Sequence, residues 1–307
     1  MPLWIVATLV AAFLQNLRFV LQRHLKVTSL STGGATWARF AFALPMVGVL
    51  LVVYRIASGQ GWPIPGPGYW GFVIAGALAQ MVATACIVAL FAHRHFYVGI
   101  TLMKSEVMLT ALIGLVVLGE AVSAPVLVAI AIGFAGVMVL SDPPAATALR
   151  WRARLFNAAS GYGLVAGVLF AISAVSYRGA TLALEGGDAP LRAAVALVTA
   201  TFIQSVTLGL WLVMREPGQI ARVAAAWRIC AATGLASGLG SLGWFTAFAL
   251  QTAAHVKALG QVELVFTFVF SAFFLRETTS RGEVAGIALI LASVGLILWA
   301  GLRGGGA

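Results

Sequence analysis

Two glutamates stand where a carboxylate is expensive. Glu106 opens the run EVMLTALIGLVVLGE (106–120) and Glu263 opens ELVFTFVFSAFFLRE (263–277). In each run a threonine follows four residues later, Thr110 and Thr267, and a second glutamate closes it, Glu120 and Glu277. An ionisable group inside a hydrophobic helix marks, by default, a pathway for substrate, ion or proton. A rise of about 1.5 Å per residue puts Glu106 about 13 Å inside its span and Glu263 about 15 Å inside its own. That is near the middle of a hydrocarbon core about 30 Å thick, too deep for either group to snorkel out. The chemistry open to such a carboxylate is proton exchange or the binding of a cation, with an anionic or zwitterionic substrate falling instead to nearby basic groups.

The neighbouring polar residues extend the candidate site. Lys104 lies two residues before Glu106 and so points to nearly the opposite side of its helix. Lys257 and Gln261, four apart, share a face that differs from that of Glu263. Thr110 and Thr267 lie one turn from their glutamates and can bond a carboxyl group or their own backbone. Near the N-terminus Gln15, Asn16 and Arg18 form a second cluster, in which Gln15 and Arg18 face the same way. Trp244 falls well inside an apolar run and its indole N–H needs a partner, whether it lines a cavity or packs against a neighbour. A second reading stays open, in which the two glutamates only make fixed pairs with Lys104, Lys257, Arg18 or Arg39 on adjacent helices. Glu120 and Glu277 close their helices and are expected to be solvated or to cap the next helix.

Other chemistries find no support. The sequence has no HExxH, no nucleophile elbow and no Walker A motif, so no catalytic residue is assigned and an ATP-driven pump is excluded. His93, Arg94 and His95 read as a solvated basic turn, not a metal site. Cys86 and Cys230 lie far apart in apolar stretches and read as buried small hydrophobes. Neither a metal nor a cofactor is implied.

The elements that must position these residues are membrane spans. Hydrophobic residues make up 61% of the 307 residues, charged residues 9%, and the mean hydropathy is +1.01, a composition that excludes a soluble domain. Apolar runs of bilayer length predict ten spans. The first five cover Leu3–Leu21, Thr36–Tyr54, Tyr69–Phe91, Tyr97–Leu118 and Ala124–Leu140. The second five cover Gly161–Leu182, Leu191–Met214, Trp227–Leu250, Ala253–Leu275 and Glu283–Leu302. The first is expected to be a retained helix, not a signal peptide.

An offset of 157 that relates Glu106 to Glu263 also relates Thr110 to Thr267, Phe91 to Phe248 and Trp70 to Trp227. The chain therefore reads as a duplication: repeat 1 over 1–141, a basic linker over 142–160, and repeat 2 over 161–303. Five spans is an odd number, so the second repeat enters the membrane from the opposite side and the repeats are inverted. The fold class is an all-α integral membrane protein of ten transmembrane helices in two inverted five-helix repeats.

The net charge of +10 would suggest nucleic acid in a soluble protein, but here the basic residues fall in short connections. Arg23, Lys26, Arg94, Arg150, Arg152, Arg154, Arg215, Arg222, Arg228, Arg276 and Arg281 gather on one face. The other face has mainly Arg55, Arg178, Arg192 and Arg303. The positive-inside rule puts the termini outside. Tryptophans 37, 62, 70, 151, 227 and 299 read as interfacial anchors. Gly163/Gly167, Gly234/Gly238 and Gly282/Gly286 have the spacing that lets helices approach closely.

The runs LGEAVSAPVLVAIAIGFAGVMVL (118–140) and LRETTSRGEVAGIALILASVGLIL (275–298) resemble the end of the EamA-type repeat of the drug/metabolite transporter superfamily, where a Glu closes one helix before a Gly-rich apolar helix. The resemblance covers nearly the whole chain as two repeats. It implies a secondary transporter of the cell (inner) membrane with a central cavity lined mainly by spans 1, 3, 4, 6, 8 and 9. The implied activity is export of small metabolites, amino acids or related compounds, by alternating access, with proton coupling an option. A passive channel and a non-transporting scaffold subunit are the alternatives. The partners are a small-molecule substrate and the lipid bilayer, with a homodimer left open and no nucleic acid. Two features depart from the family: Val107 and Leu264 stand where many members have proline, and many bacterial members keep their termini inside.

Overall fold

In hydrocarbon every backbone N–H and C=O must be satisfied within its own segment, so apolar runs of bilayer length become helices. The structure, a computed structural model, describes residues 1–28, 30–91, 100, 102–140, 158–270 and 281–304. In the first half these form α1 (Leu3–Thr28), α2 (Thr32–Ser58), α3 (Tyr69–Leu90), α4 (Glu106–Leu118) and α5 (Ala124–Leu140). The second half forms α6 (Ala158–Leu182), α7 (Ala189–Arg215), the short α8 (Gln219–Ala225) and α9 (Trp227–Leu250). It ends with α10 (Ala253–Gly260), α11 (Val262–Phe270) and α12 (Arg281–Gly304). A two-residue antiparallel ladder joins β1 (Ile64–Pro65) to β2 (Leu184–Glu185), pairing Ile64 with Glu185 and Pro65 with Leu184. By length and composition α1, α2, α3, α6 and α7 can each cross a membrane, and shorter apolar helices accompany them.

Helix ends are fixed by local chemistry. Ser31 caps α2 by accepting from the Gly34 N–H at 2.9 Å, and Asp188 caps α7 by accepting from Leu191 N–H at 2.9 Å. Gly119 ends α4 in the left-handed conformation at φ 68°, which costs glycine nothing.

Several elements differ from the sequence expectation. α1 continues past Leu21 to Thr28, so Arg23 and Lys26 lie on a helix; the extension holds because Leu25 is fully buried in a cluster with Leu30, Val88 and Val223. A short helix, α8, occupies the connection after α7, its Gln219 and Val223 buried. Most consequential, the fourth and ninth spans are not continuous. Leu102 and Met103 are helical, Lys104 and Ser105 form a turn, and α4 starts at Glu106; likewise α10 stops at Gly260, Gln261 turns, and α11 starts at Val262. The breaks are equivalent. Val107 N–H bonds Lys104 C=O at 3.4 Å, and at the same offset of 157 Leu264 N–H bonds Gln261 C=O at 3.0 Å. These i to i+3 bonds are the tighter 3₁₀ kind, so each glutamate sits at the start of a new helical segment rather than deep in one long helix.

Packing repeats between the halves. α3 lies against α6 and α9 against α1; α2 lies against α9 and α7 against α3; α4 meets α6, and α10 and α11 meet α1. The pairs α2 with α7 and α5 with α12 join equivalents directly. The glycines at 234 and 238 make the α2–α9 crossing, since a Cβ at Gly234 would lie 2.5 Å from Cβ of Phe42. Trp37 is not an interfacial anchor: its indole donates to Ser205 C=O at 2.9 Å across the α2–α7 contact. Trp62, Trp70, Trp227 and Trp299 are exposed, as anchors must be. The linker at 142–157, the turn at 93–95, Trp151 and Glu277 lie outside the described residues, as do the side chains of Thr267 and Arg281.

Candidate substrate cavity and crossed ion pairs

The broken spans bring the two glutamates and two lysines together crosswise. Lys104, from the first half, forms an ion pair with Glu263 of the second; both side chains are about 95% buried, at 4% and 5% exposure. Lys257, from the second half, reaches Glu106 of the first, Nζ to Oε2 3.4 Å. Among the described residues, neither lysine forms an ion pair with the glutamate on its own span. Glu263 is further held by α1, where Gln15 Nε2 donates to its Oε2 at 2.5 Å and Asn16 Nδ2 donates to its backbone C=O at 2.7 Å. Lys257 is held differently. Its ammonium lies 5.0 Å from the Trp244 ring centre and 5.8 Å from that of Phe170, cation–π distances for an ion on an aromatic wall.

That wall borders a small cavity lined by side chains of both halves. Gln15 and Arg18 of α1, Arg39 of α2, Gln80 of α3, Tyr177 of α6 and Lys257 of α10 contribute its principal polar groups. Ser237 and Ser241 of α9 add hydroxyls, and Phe170, Trp244, Phe245 and Phe248 supply aromatic surface. Trp244 stacks on Phe248 with centroids 6.1 Å apart. Its indole N–H is buried with no hydrogen-bond partner among the described residues. Gly260 makes room for this ring, since a Cβ there would lie 2.5 Å from Trp244 Cη2. Tyr177 Oη donates to Gln80 Oε1 at 2.9 Å and Gln204 Nε2 donates to the same oxygen at 2.9 Å, fixing the floor between α3, α6 and α7.

Of the residues singled out from sequence, Gln15, Arg18, Trp244 and Lys257 line the cavity, and Glu106, Lys104 and Glu263 complete the crossed pairs. Thr110 does not reach a carboxyl group; its hydroxyl donates to the Glu106 backbone C=O at 2.6 Å. Thr267 lies on α11 with its side chain outside the described residues. Gln261 is directed away from the cavity, toward Gly133 of α5 and Ser293 of α12, and its amide has no hydrogen-bond partner. Glu120 is neither solvated nor a cap. It accepts from Arg178 Nε at 2.8 Å, while Arg178 Nη1 donates to the C=O groups of Phe248 at 2.7 Å and Ala249 at 3.1 Å, closing the end of α9. Arg18 and Arg39 pair with neither glutamate. Arg39 as a cavity residue, Gln80, Tyr177 and Ser237 are additions, and Gln80 carried the same signal as the glutamates, a strongly polar side chain inside an apolar run.

The long apolar helices mark a multi-pass membrane protein. Residues 158–299 match the EamA-like transporter family. One solved protein structure superposes with a TM-score of 0.70 at 13% identity, covering 97% of this chain and 98% of that one; the fold is therefore shared along the entire chain. No curated protein matches the sequence.

Proposed function

We propose that the protein is a secondary transporter that exports small metabolites by alternating access, its two halves acting as inverted five-helix repeats of a ten-span bundle. The observation that carries this reading is the reciprocal crossing of the ion pairs. Each links one half to the other at an equivalent helix break, beside a cavity that both halves line. Discontinuous helices at a repeat interface are where transporters place substrate and coupling ions. Contacts that join the halves crosswise can be exchanged as one half rocks against the other. Glu106 is the coupling candidate, because its partner Lys257 lies on the cavity wall, where a proton or substrate can compete for it.

Purified protein in vesicles, assayed with labelled amino acids and small organic acids with and without a pH gradient, separates the readings. Counterflow driven by unlabelled substrate on the far side supports a carrier. Flux without such acceleration indicates a channel, and no flux a scaffold. For sidedness, the imbalance of Lys and Arg between the two faces puts the termini outside. A C-terminal reporter active only in the cytoplasm is expected to be silent, and activity would reverse the assignment.

A further inference from the structure

The cavity holds more positive charge than the protein neutralises. Arg18 and Arg39 are 3% and 4% exposed, and among the described residues neither has a carboxylate within ion-pair distance. The nearby carboxylates are committed elsewhere: Glu263 to Lys104, Glu106 to Lys257, and Glu120 to Arg178. Arg18 gives one hydrogen bond, Nη1 to Gln22 Oε1 at 3.3 Å, and its guanidinium lies 4.3 Å from the Phe19 ring centre. Arg39 donates from Nε to Ser237 Oγ and from Nη1 to Thr84 Oγ1, both at 2.7 Å. Both residues line the cavity. A buried guanidinium without a counter-ion is costly, and its five N–H donors form a fork that matches carboxylate, phosphate or sulfonate. Hydroxyl partners orient Arg39 without cancelling its charge.

The rest of the lining describes the body of the ligand. Trp244, Phe245, Phe248 and Phe170 give aromatic surface in the same cavity, and the buried Trp244 N–H has no hydrogen-bond partner among the described residues. The charge is also one-sided. At the offset of 157, Arg18 and Arg39 correspond to Val175 and Ala196, so the repeated framework does not require these arginines.

We propose that the substrate is a small organic anion with an apolar or aromatic body, its anionic group held between Arg18 and Arg39 and its body against Trp244 and Phe248. This rests on the transporter reading for its biological role but concerns binding alone. A lipid headgroup offers the same anionic chemistry, and the proposal commits to a soluble anion.

The test uses purified full-length protein in phosphatidylcholine nanodiscs and probes of matched body: phenylacetate, phenyl phosphate and benzenesulfonate as anions, phenylacetamide as the neutral and phenethylamine as the cation. Calorimetry on the unaltered protein is expected to show at least one anion bound tenfold or more tightly than both phenylacetamide and phenethylamine. Arg18→Gln and Arg39→Gln are each expected to weaken that anion at least tenfold while leaving phenylacetamide unchanged. Tighter binding of the cation overturns the proposal, as does the absence of a preference for any anion in the unaltered protein, a result that does not depend on the variants folding. Loss of soluble-anion binding when phosphatidylglycerol is added to the nanodiscs assigns the arginines to a lipid headgroup and also overturns it. Arginine-dependent anion binding without flux in vesicles upholds the proposal and contradicts the transporter reading instead.

Discussion

The two crossed ion pairs are formally alike, and their surroundings are not. Lys104 and Glu263 are sealed among α1, α10 and α11, with Gln15 and Asn16 fastening the glutamate from both its side chain and its backbone. Lys257 and Glu106 meet at 3.4 Å beside the cavity, at 11% and 8% exposure, and the lysine's other neighbours are aromatic faces. A sealed pair with added hydrogen bonds behaves as a fixed join between the halves. A longer pair at a cavity wall has a place for a competitor. The two halves thus present one crossed geometry twice, and of the two lysines only Lys257 lines the cavity.

Removing one partner of the sealed pair is the largest expected effect. Glu263→Gln should cost about 3–5 kcal/mol, because it leaves the Lys104 ammonium buried without its counter-ion. Glu106→Gln should cost clearly less, since Lys257 keeps the Trp244 and Phe170 faces and access to cavity water. Thermal unfolding of the two variants in the same detergent checks this, and equal losses would erase the distinction between the pairs. Replacing Lys104 and Glu263 together by apolar residues of similar volume should recover most of the loss.

Next in size is the aromatic wall. Gly260→Ala puts a methyl group where Trp244 now lies, and overpacking of this kind costs about 1–3 kcal/mol. Gly295→Ala, whose added Cβ meets nothing within 4 Å, is the control and should melt like the unaltered protein. If both variants melt alike, the close approach of Trp244 to the helix break is not a constraint.

The smallest effect lies outside the membrane, at Asp188. Slight burial pushes its carboxyl up, but bonds from Tyr54, Gln60 and the Leu191 N–H, with Arg192 nearby, outweigh it and hold the group below the usual carboxylate range. A depressed folded pKa stabilises above the unfolded value and loses that contribution as pH falls through the folded one. Asp188→Ala should therefore cost about 1 kcal/mol as a lost cap near neutral pH. The difference from the unaltered protein should shrink as pH drops below about 4, the ordinary carboxylate range. A difference independent of pH would mean that the charge contributes nothing.

Much of this was legible in the residues. The correspondence of α2 and α7 was, because they occupy equivalent stretches of 27 residues, Thr32–Ser58 and Ala189–Arg215. Among the described residues Lys104 forms no ion pair with Glu106 and meets Glu263 instead. Which carboxylate each lysine reaches was not legible, because that depends on how helices far apart in sequence pack. The breaks at Ser105 and Gln261 were hidden because no proline marks them, and the backbone there stays close to helical, at φ −58° and −59°. Gln261 misled for a related reason: the turn at the break re-aims it toward Gly133 and Ser293. Glu120 looked like a solvated helix end because Arg178 lies 58 residues away in sequence.

The most direct test of the central claim is the pH dependence of transport by Glu106→Gln in vesicles, with Lys257→Gln as its companion. Glutamine keeps the shape and hydrogen bonding of the side chain but cannot titrate. The account predicts that the variant reaches the membrane folded and that a pH gradient no longer changes its rate, while a rate in the absence of a gradient remains. A folded Glu106→Gln protein whose transport keeps the pH dependence of the unaltered protein would contradict it and return both ion pairs to a purely structural role.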